Sequence, residues 1–185
     1  DAAAGATVPF DRDKLARLMD VAGIDVLFAT SKHNIQYLLG GYRYIFFHAM
    51  DAIGHSRYMP FVVYEKGRPD HAAYVGNKME GHEQQVQPFW TPTVHTATWG
   101  TVDAANLVAD HLKKIGMDRA RIGYEPGFLA SDAFVALQMA LPSATLVDCN
   151  SVLERMRAIK TPAEIELLRS ASELITDSML ATFAA

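Results

Sequence analysis

The sequence predicts an α/β domain in which a mixed β-sheet is covered by helices on both faces. Amphipathic helical segments alternate along the chain with short apolar runs of strand length, as in layered α/β folds. Residues 58–65 and 71–75 flank the turn sequence KGRPD and therefore read as an antiparallel hairpin. Half of the 185 residues are hydrophobic, which is enough for a packed core.

The first elements predicted are a helix, a strand and a short helix. Asp11 is placed to cap the first helix and Gly23 to end it. Residues 24–30 (IDVLFAT) form a short apolar run directly after that glycine, which is typical of a strand. A short helix is expected at residues 34–39, where two consecutive glycines end it.

The middle of the chain is irregular and the part after it alternates again. Residues 84–100 contain two prolines and two tryptophans and read as a segment without regular structure. The elements expected next are a helix at residues 101–115, a strand at 121–125, a helix at 131–141 and a strand at 145–148. Ser151 and Glu154 then form a capping box for one more short helix.

The last helix has a marked start and no stop signal. Thr161 offers an N-cap hydroxyl, and Glu164 is placed to reach back to the Thr161 amide. An apolar stripe follows at spacings of three and four, formed by Ile165, Leu168, Ala171, Ile175 and Met179. We expect this stripe either to fold back onto the domain or to drive self-association. The unfinished helix predicts a piece of a longer protein, with residues 1–160 as one domain and residues 161–185 beginning the helix toward the next.

Composition and charge narrow the range of functions. The net charge of −4 gives no electrostatic reason to expect a nucleic acid or an anionic membrane as partner. No apolar run approaches the roughly 18 residues that span a bilayer, and residues 1–9 lack the features of a signal peptide, so we expect a cytoplasmic protein. The single Cys149 excludes an internal disulfide, and its apolar surroundings indicate a buried, inert thiol.

No recognisable catalytic or metal-binding motif is present, so we assign no catalytic residue and no metal ligand. The run GHEQQV at residues 81–86 begins like the zinc-protease helix motif, but Val86 stands in place of the second histidine. The seven histidines lack ligand spacing, which indicates surface or hydrogen-bonded structural roles. Glu125 ends a strand, where a catalytic group can lie; we expect it instead to cap the helix at Ser131 or to face solvent.

The segment at residues 41–60 (GYRYIFFHAMDAIGHSRYMP) is longer than an ordinary connection and rich in aromatic and basic side chains. Its aromatic content argues against disorder. Two interpretations stay open. The segment either folds over the domain's own core, or it forms an interface or a pocket wall, where aromatic residues and arginine are enriched.

Three motifs together resemble the N-terminal domain of the creatinase, prolidase and aminopeptidase P family of metallohydrolases. Residues 23–40 (GIDVLFATSKHNIQYLLG) are similar to the family's helix, strand and N-I-x-Y-L-x-G opening. Residues 121–125 (RIGYE) are similar to its I-G-x-E strand, and residues 156–166 (MRAIKTPAEIE) to its R-x-I-K-x-x-x-E-I junction. The resemblance covers nearly all of residues 10–185 and implies the fold of that domain followed by a linker helix.

The resemblance implies a domain that carries no chemistry of its own and holds no cofactor. In the family, a catalytic domain follows the junction helix and binds two divalent ions (Mn, Zn or Co) that activate water for amide or C–N hydrolysis. The implied role is to form a homodimer and to cap the active site of a hydrolase of dipeptides or small amides. In creatinase-like members, a segment after the short helix offers an arginine and an aromatic group to the substrate in the partner subunit. Arg57 lies nearest that arginine, and His55 stands where the aromatic group is expected.

Two other functions remain open. The first is a scaffold or ligand-binding domain of a catalytically inactive relative, which differs only in whether the parent keeps its metal ligands. The second is a free-standing α/β module that binds a small molecule. The absence of a phosphate-binding loop and the unfinished last helix both argue against this second function.

Overall fold

The structure, a computed structural model, describes residues 7–42 and 58–184. The elements of the first half are helix α1 (Arg12–Ala22), strand β1 (Val26–Ala29), helix α2 (Lys32–Leu38), strands β2 (Phe61–Glu65) and β3 (Arg68–Asn77), a 3-10 turn (Lys78–Glu80) and helix α3 (Gly81–Val86). The elements of the second half are β4 (Thr93–Thr98), α4 (Thr101–Lys114), β5 (Arg121–Tyr124), α5 (Ser131–Ala140), β6 (Thr145–Asp148), α6 (Asn150–Ala158) and α7 (Pro162–Ala184).

The six strands form one mixed sheet in the order β4-β3-β2-β1-β5-β6. Strand β2 is antiparallel to both of its neighbours, β1 and β3, whereas the remaining pairs are parallel. The predicted hairpin is confirmed. Its turn is shorter than expected, because Gly67 adopts a φ of 76° and Arg68 already pairs with Glu65.

Strand β1 separates two hydrophobic cores, one on each face of the sheet. Leu27 and Ala29 belong to the first core, and Val26 and Phe28 to the second. The helical residues of the first core are Leu15, Met19, Ile35, Leu38, Val152, Leu153 and Met156, from α1, α2 and α6. The helical residues of the second core are Ala104, Ala105, Val108, Ala109, Leu112, Ala133 and Leu137, from α4 and α5. The prediction of helices on both faces is therefore confirmed.

Two predicted helix starts are confirmed by their side-chain hydrogen bonds. The amide of Lys14 donates to Asp11 Oδ1 at 2.9 Å, and Gly23 ends α1 in the left-handed region at a φ of 64°. At the start of α7, the Thr161 amide donates to Glu164 Oε2 at 2.7 Å, and the Glu164 amide donates to Thr161 Oγ1 at 3.2 Å. Local chemistry alone therefore sets these two boundaries.

The prediction that residues 84–100 are irregular is wrong. Residues 84–86 complete α3, and residues 93–98 form β4, which pairs in parallel with β3. Strand β4 carries three threonines in six residues and its side chains are mostly half-exposed, so it shows no alternation of apolar and polar residues. Pairing with β3, rather than the sequence pattern, makes this segment a strand.

The capping box predicted at Ser151 and Glu154 is also wrong. Helix α6 begins two residues earlier than that capping box requires, at Asn150, and its N-cap residue Cys149 makes no side-chain capping bond. The Asn150 amide donates instead to Asp148 Oδ1 at 2.8 Å. A carboxylate on the preceding strand thus supplies the acceptor that a capping box would have provided.

Helix α7 does not fold back onto the domain, and none of its described residues is buried. The apolar stripe faces solvent, with Leu168 at 56% and Ile175 at 62% exposure. An apolar surface of this kind favours contact with another polypeptide. Despite this exposure, none of the helices in residues 7–42 and 58–184 has the length and apolarity needed to cross a bilayer.

We expect Leu168→Asp to reduce self-association of the chain, because it places a charge in the middle of the exposed stripe. The melting temperature measured at dilutions where the chain is monomeric should stay unchanged, since Leu168 makes little contact with the domain. Light scattering across a concentration series measures the association. Ser170→Asp, which adds the same charge on the opposite side of the helix, is the matched control. Equal masses for all three proteins would contradict the role of the stripe.

Candidate functional site

The carboxyl ends of β1 and β5 are the first place to search for a site. These strands are parallel neighbours, and the helices that follow them, α2 and α5, pack on opposite faces of the sheet. In open α/β sheets, a crevice opens outside the carboxyl ends of two neighbouring strands whose following helices lie on opposite faces. Ligands usually bind in this crevice.

The carboxylate of Glu125 fills this crevice. The backbone amides of Thr30 and Ser31 donate to Oε2 at 2.6 and 2.8 Å, and Asn34 Nδ2 donates to Oε1 at 2.6 Å. Only 1% of Glu125 is exposed. The position that a ligand takes in related architectures is therefore occupied by the chain's own side chain, which satisfies amides at the start of α2.

The sequence-based expectation for Glu125 is thus wrong in both of its forms. Helix α5 begins at Ser131 after Ala130, which makes no side-chain capping bond, so Glu125 does not cap it. The side chain does not face solvent either. Its partners lie 91 to 95 residues earlier in the chain, and only the pairing of β1 with β5 brings them together.

The close packing of β5 against its neighbours explains the glycine of the RIGYE motif. A Cβ atom on Gly123 would lie 2.8 Å from both Cys149 Cβ and Ile24 Cδ1, which is too close for any side chain. Cys149 is fully buried here, and burial, with the negative charges of Glu125 and Asp148, raises the pKa of its thiol. The prediction that this thiol is buried is confirmed, and the direction of the pKa shift is that of an unreactive thiol.

A second buried carboxylate, Glu80, lies beyond the end of β3. Oε1 accepts from the Tyr74 hydroxyl at 2.5 Å and from the Tyr42 hydroxyl at 3.0 Å, and Oε2 accepts from the Asn77 amide at 2.5 Å. Burial raises the pKa of Glu80, although these three hydrogen bonds favour the charged form and lower it. Glu80 therefore fixes Tyr42, the residue from which the 41–60 segment continues, to the end of β3.

The two histidines with defined partners have structural roles, as predicted. His71 Nδ1 lies 2.5 Å from Glu65 Oε2, and His111 Nε2 donates to the His71 carbonyl oxygen at 2.8 Å. Burial lowers the pKa of His111, which favours the neutral ring. In the part of the chain that the structure describes, no three His, Cys, Asp or Glu side chains are grouped so as to hold a metal ion.

The substrate-binding residues expected from the sequence, Arg57 and His55, lie outside the described residues. The two ends of their segment are defined. Tyr42 packs against the first core and makes an edge contact with Phe89 at a ring distance of 4.5 Å, whereas Met59 is buried in the second core. The segment therefore connects the two faces of the sheet, and its role as core cover or interface stays a prediction.

The chain belongs to the family of creatinase/prolidase N-terminal domains, whose model matches residues 12–159. This membership confirms the resemblance drawn from the three sequence motifs. None of the curated protein sequences matches the chain significantly.

Solved structures share the fold at low sequence identity. The Xaa-Pro dipeptidase from Bacillus anthracis matches with a TM-score of 0.63 and 21% identity, over 86% of this chain and 38% of that one. The dipeptidase from Pyrococcus horikoshii OT3 gives 0.69 and 16%, over 94% and 44%. The N-terminal domain of the cytoplasmic peptidase PepQ from Mycobacterium tuberculosis H37Rv gives 0.55 and 19%, over 79% and 97%. The chain thus spans less than half the length of the first two proteins.

We expect Glu125→Ala to lower the free energy of unfolding by about 3–5 kcal/mol, because three N–H donors lose their acceptor inside the protein. Glu125→Gln should cost less, about 1–3 kcal/mol, because its carbonyl oxygen still accepts from the Thr30 and Ser31 amides and only Asn34 Nδ2 loses its acceptor. Urea unfolding with an unchanged m-value measures both. Glu154→Ala, at an exposed position on α6, is the control. Equal losses for the Ala and Gln variants would contradict this account of the crevice.

The raised pKa of Cys149 predicts a loss of stability at alkaline pH. The native protein keeps a thiol proton that the unfolded chain releases above about pH 8.5, so this stabilisation is complete below that pH and declines above it. Between about pH 9 and 10, the free energy of unfolding should fall by about 1.2 kcal/mol more in the unmutated chain than in Cys149→Ala. Tyr37 and Tyr64, whose pKa values are also raised by burial, are common to both proteins and cancel. Parallel pH profiles would contradict the prediction.

Proposed function

We propose that the chain is the non-catalytic N-terminal domain of a metal-dependent hydrolase of the Xaa-Pro dipeptidase or creatinase type. In this role it contributes to a homodimer and caps the active site of a catalytic domain that acts on dipeptides or small amides. The observation that carries the proposal is the Glu125 carboxylate. It closes the crevice where a sheet of this kind takes a ligand, and so leaves the domain a supporting function.

The two divalent ions of this proposal (Mn, Zn or Co) do not fit the described residues, because no suitable ligand group is found among them. We therefore assign them to the catalytic domain of the parent protein. The contribution of this chain is to bind, position and enclose. Helix α7 supports that assignment, since its exposed apolar stripe suits an element that is covered by further polypeptide.

The partners and the location follow from the same proposal. The substrate reaches the protein through the catalytic domain, the partner is a second copy of the chain, and neither a nucleic acid nor a membrane takes part. A cytoplasmic location is supported by PepQ of Mycobacterium tuberculosis, a cytoplasmic peptidase whose N-terminal domain has this fold.

The first test compares the 185-residue chain with its full-length parent. We expect the purified chain to carry no stoichiometric Zn, Mn or Co and to leave Xaa-Pro dipeptides intact, because two-metal hydrolysis needs several converging carboxylates and a histidine. The parent should bind metal and hydrolyse these dipeptides. Metal analysis and a dipeptide assay on both proteins measure the difference. One tightly bound ion per chain in the short protein, with turnover, would refute the proposal.

The second test concerns Arg57 in the full-length parent. A guanidinium presents its donors in a fixed fork that suits a substrate carboxylate. We expect Arg57→Ala to reduce kcat/KM for carboxylate substrates by about 1.5–3 kcal/mol of transition-state stabilisation, with the melting temperature and the dimer unchanged. Arg119→Ala, which removes an exposed arginine from the domain surface, is the control. If Arg57 instead pairs with a local acid such as Asp51, the variant loses stability and keeps its kcat/KM.

A further inference from the structure

An open cleft of about 1080 Å³ lies between the first turn of α7 and the surface formed by α1, α2 and α6. Its apolar walls are Val8, Phe10, Tyr37, Met156, Ile159 and Leu167. The volume is at the upper end of the range for sites that hold small organic ligands, roughly 300–1,000 Å³. The cleft is separate from the crevice that Glu125 fills.

The cleft is positively charged although the chain as a whole carries a net charge of −4. The basic side chains that line it are Lys14, Arg17, Arg157 and Lys160. Its two acidic side chains are already used as helix caps, Asp11 at the start of α1 and Glu164 at the start of α7. The basic side chains of the lining therefore outnumber the acidic ones by four to two.

Arg157 is a basic residue of the lining whose guanidinium is incompletely bonded. Its side chain is half-buried, and its Nε atom is buried with no hydrogen-bond acceptor among the described residues. The neighbouring ammonium groups bond only to neutral acceptors: Lys14 Nζ donates to the Met156 carbonyl at 2.8 Å and Lys160 Nζ to the Ala158 carbonyl at 3.2 Å. A buried guanidinium N–H without an acceptor is unfavourable, so the cleft has the character of a site that lacks its anion.

We propose that this cleft is a carboxylate-binding site in which Arg157 is the principal donor. The planar guanidinium matches the two oxygens of a carboxylate, and Lys14 and Lys160 add positive charge beside it. Because most of the walls are apolar, the ligand is a carboxylate on an apolar body, supplied by a free organic acid or by an acidic side chain of a polypeptide. This site is independent of the hydrolytic role proposed above, since it involves neither a metal ion nor Arg57.

The test uses the 185-residue chain with two carboxylate probes, glutarate and the peptide acetyl-Leu-Glu-Leu-amide. Isothermal titration measures affinity, and the nitrogen-15 NMR signal of the Arg157 guanidinium reports a change in its surroundings. We expect saturable binding that shifts this signal. Arg157→Gln should weaken binding by at least about tenfold, the range for loss of a charge-assisted hydrogen bond. Arg155→Gln, which makes the same charge change at an exposed position of α6, should weaken it by less than about twofold.

Arg157→Lys keeps the charge and removes the fork, so it should bind more weakly than the unmutated chain and more tightly than Arg157→Gln. Unchanged thermal melting shows that the variants are folded. Stronger binding of the peptide than of glutarate identifies a polypeptide as the source of the carboxylate, and binding of glutarate alone identifies a free acid. The proposal is overturned if neither probe binds saturably, if Arg155→Gln weakens binding as much as Arg157→Gln, or if acetyl-Leu-Gln-Leu-amide binds as well as the Glu peptide. None of these results depends on the parent's turnover, so the two proposals fail separately.

Discussion

The buried carboxylate of Glu125 links β5 to its parallel neighbour β1. It lies where the helices that follow these two strands pack on opposite faces of the sheet. It takes hydrogen bonds from the end of β1 and the start of α2, while its own backbone continues from β5. An apolar side chain there would leave amides at the start of a short helix without acceptors inside the protein. Helix α2 carries Ile35 and Leu38 into the first core and leads directly into the 41–60 segment. The packing of one face of the sheet and the start of that segment therefore both depend on this carboxylate.

A second carboxylate is used in the same way at the same edge of the sheet. The carboxyl ends of β1, β3 and β5 lie together, because Ala29 is opposite Val62 and Phe61 is opposite Val75. Glu80 and Glu125 follow two of these ends, and each accepts three hydrogen bonds while almost fully buried. Both carboxylates pay a cost in desolvation that their hydrogen bonds offset. The described residues that flank the segment are held in different ways: Tyr42 by its hydrogen bond to Glu80, and Met59 by burial in the second core.

The surface at the junction with α7 is exposed, apolar and basic, in contrast to the sheet edge that the two buried carboxylates close. That helix is apolar on its exposed sides, and its first turn forms one wall of the positively charged cleft that contains Arg157. The motif at residues 156–166 therefore combines three features in one short stretch: a capped helix start, an unsatisfied guanidinium and the beginning of an exposed apolar stripe. Of these, the exposed apolar stripe favours contact with another polypeptide.

The sequence by itself determined what neighbouring residues decide among themselves. The Asp11 cap, the Thr161–Glu164 capping box and the β2–β3 hairpin involve groups a few residues apart, so propensity and spacing were enough to predict them. The alternation of helices and strands predicted the two-faced sheet, and motif order indicated the family. Only the tertiary structure decided the rest. Strand β4 exists because β3 supplies its hydrogen bonds. Glu125 meets Thr30 across 95 residues of chain, a contact that no local pattern encodes, because it arises only when β1 and β5 pair.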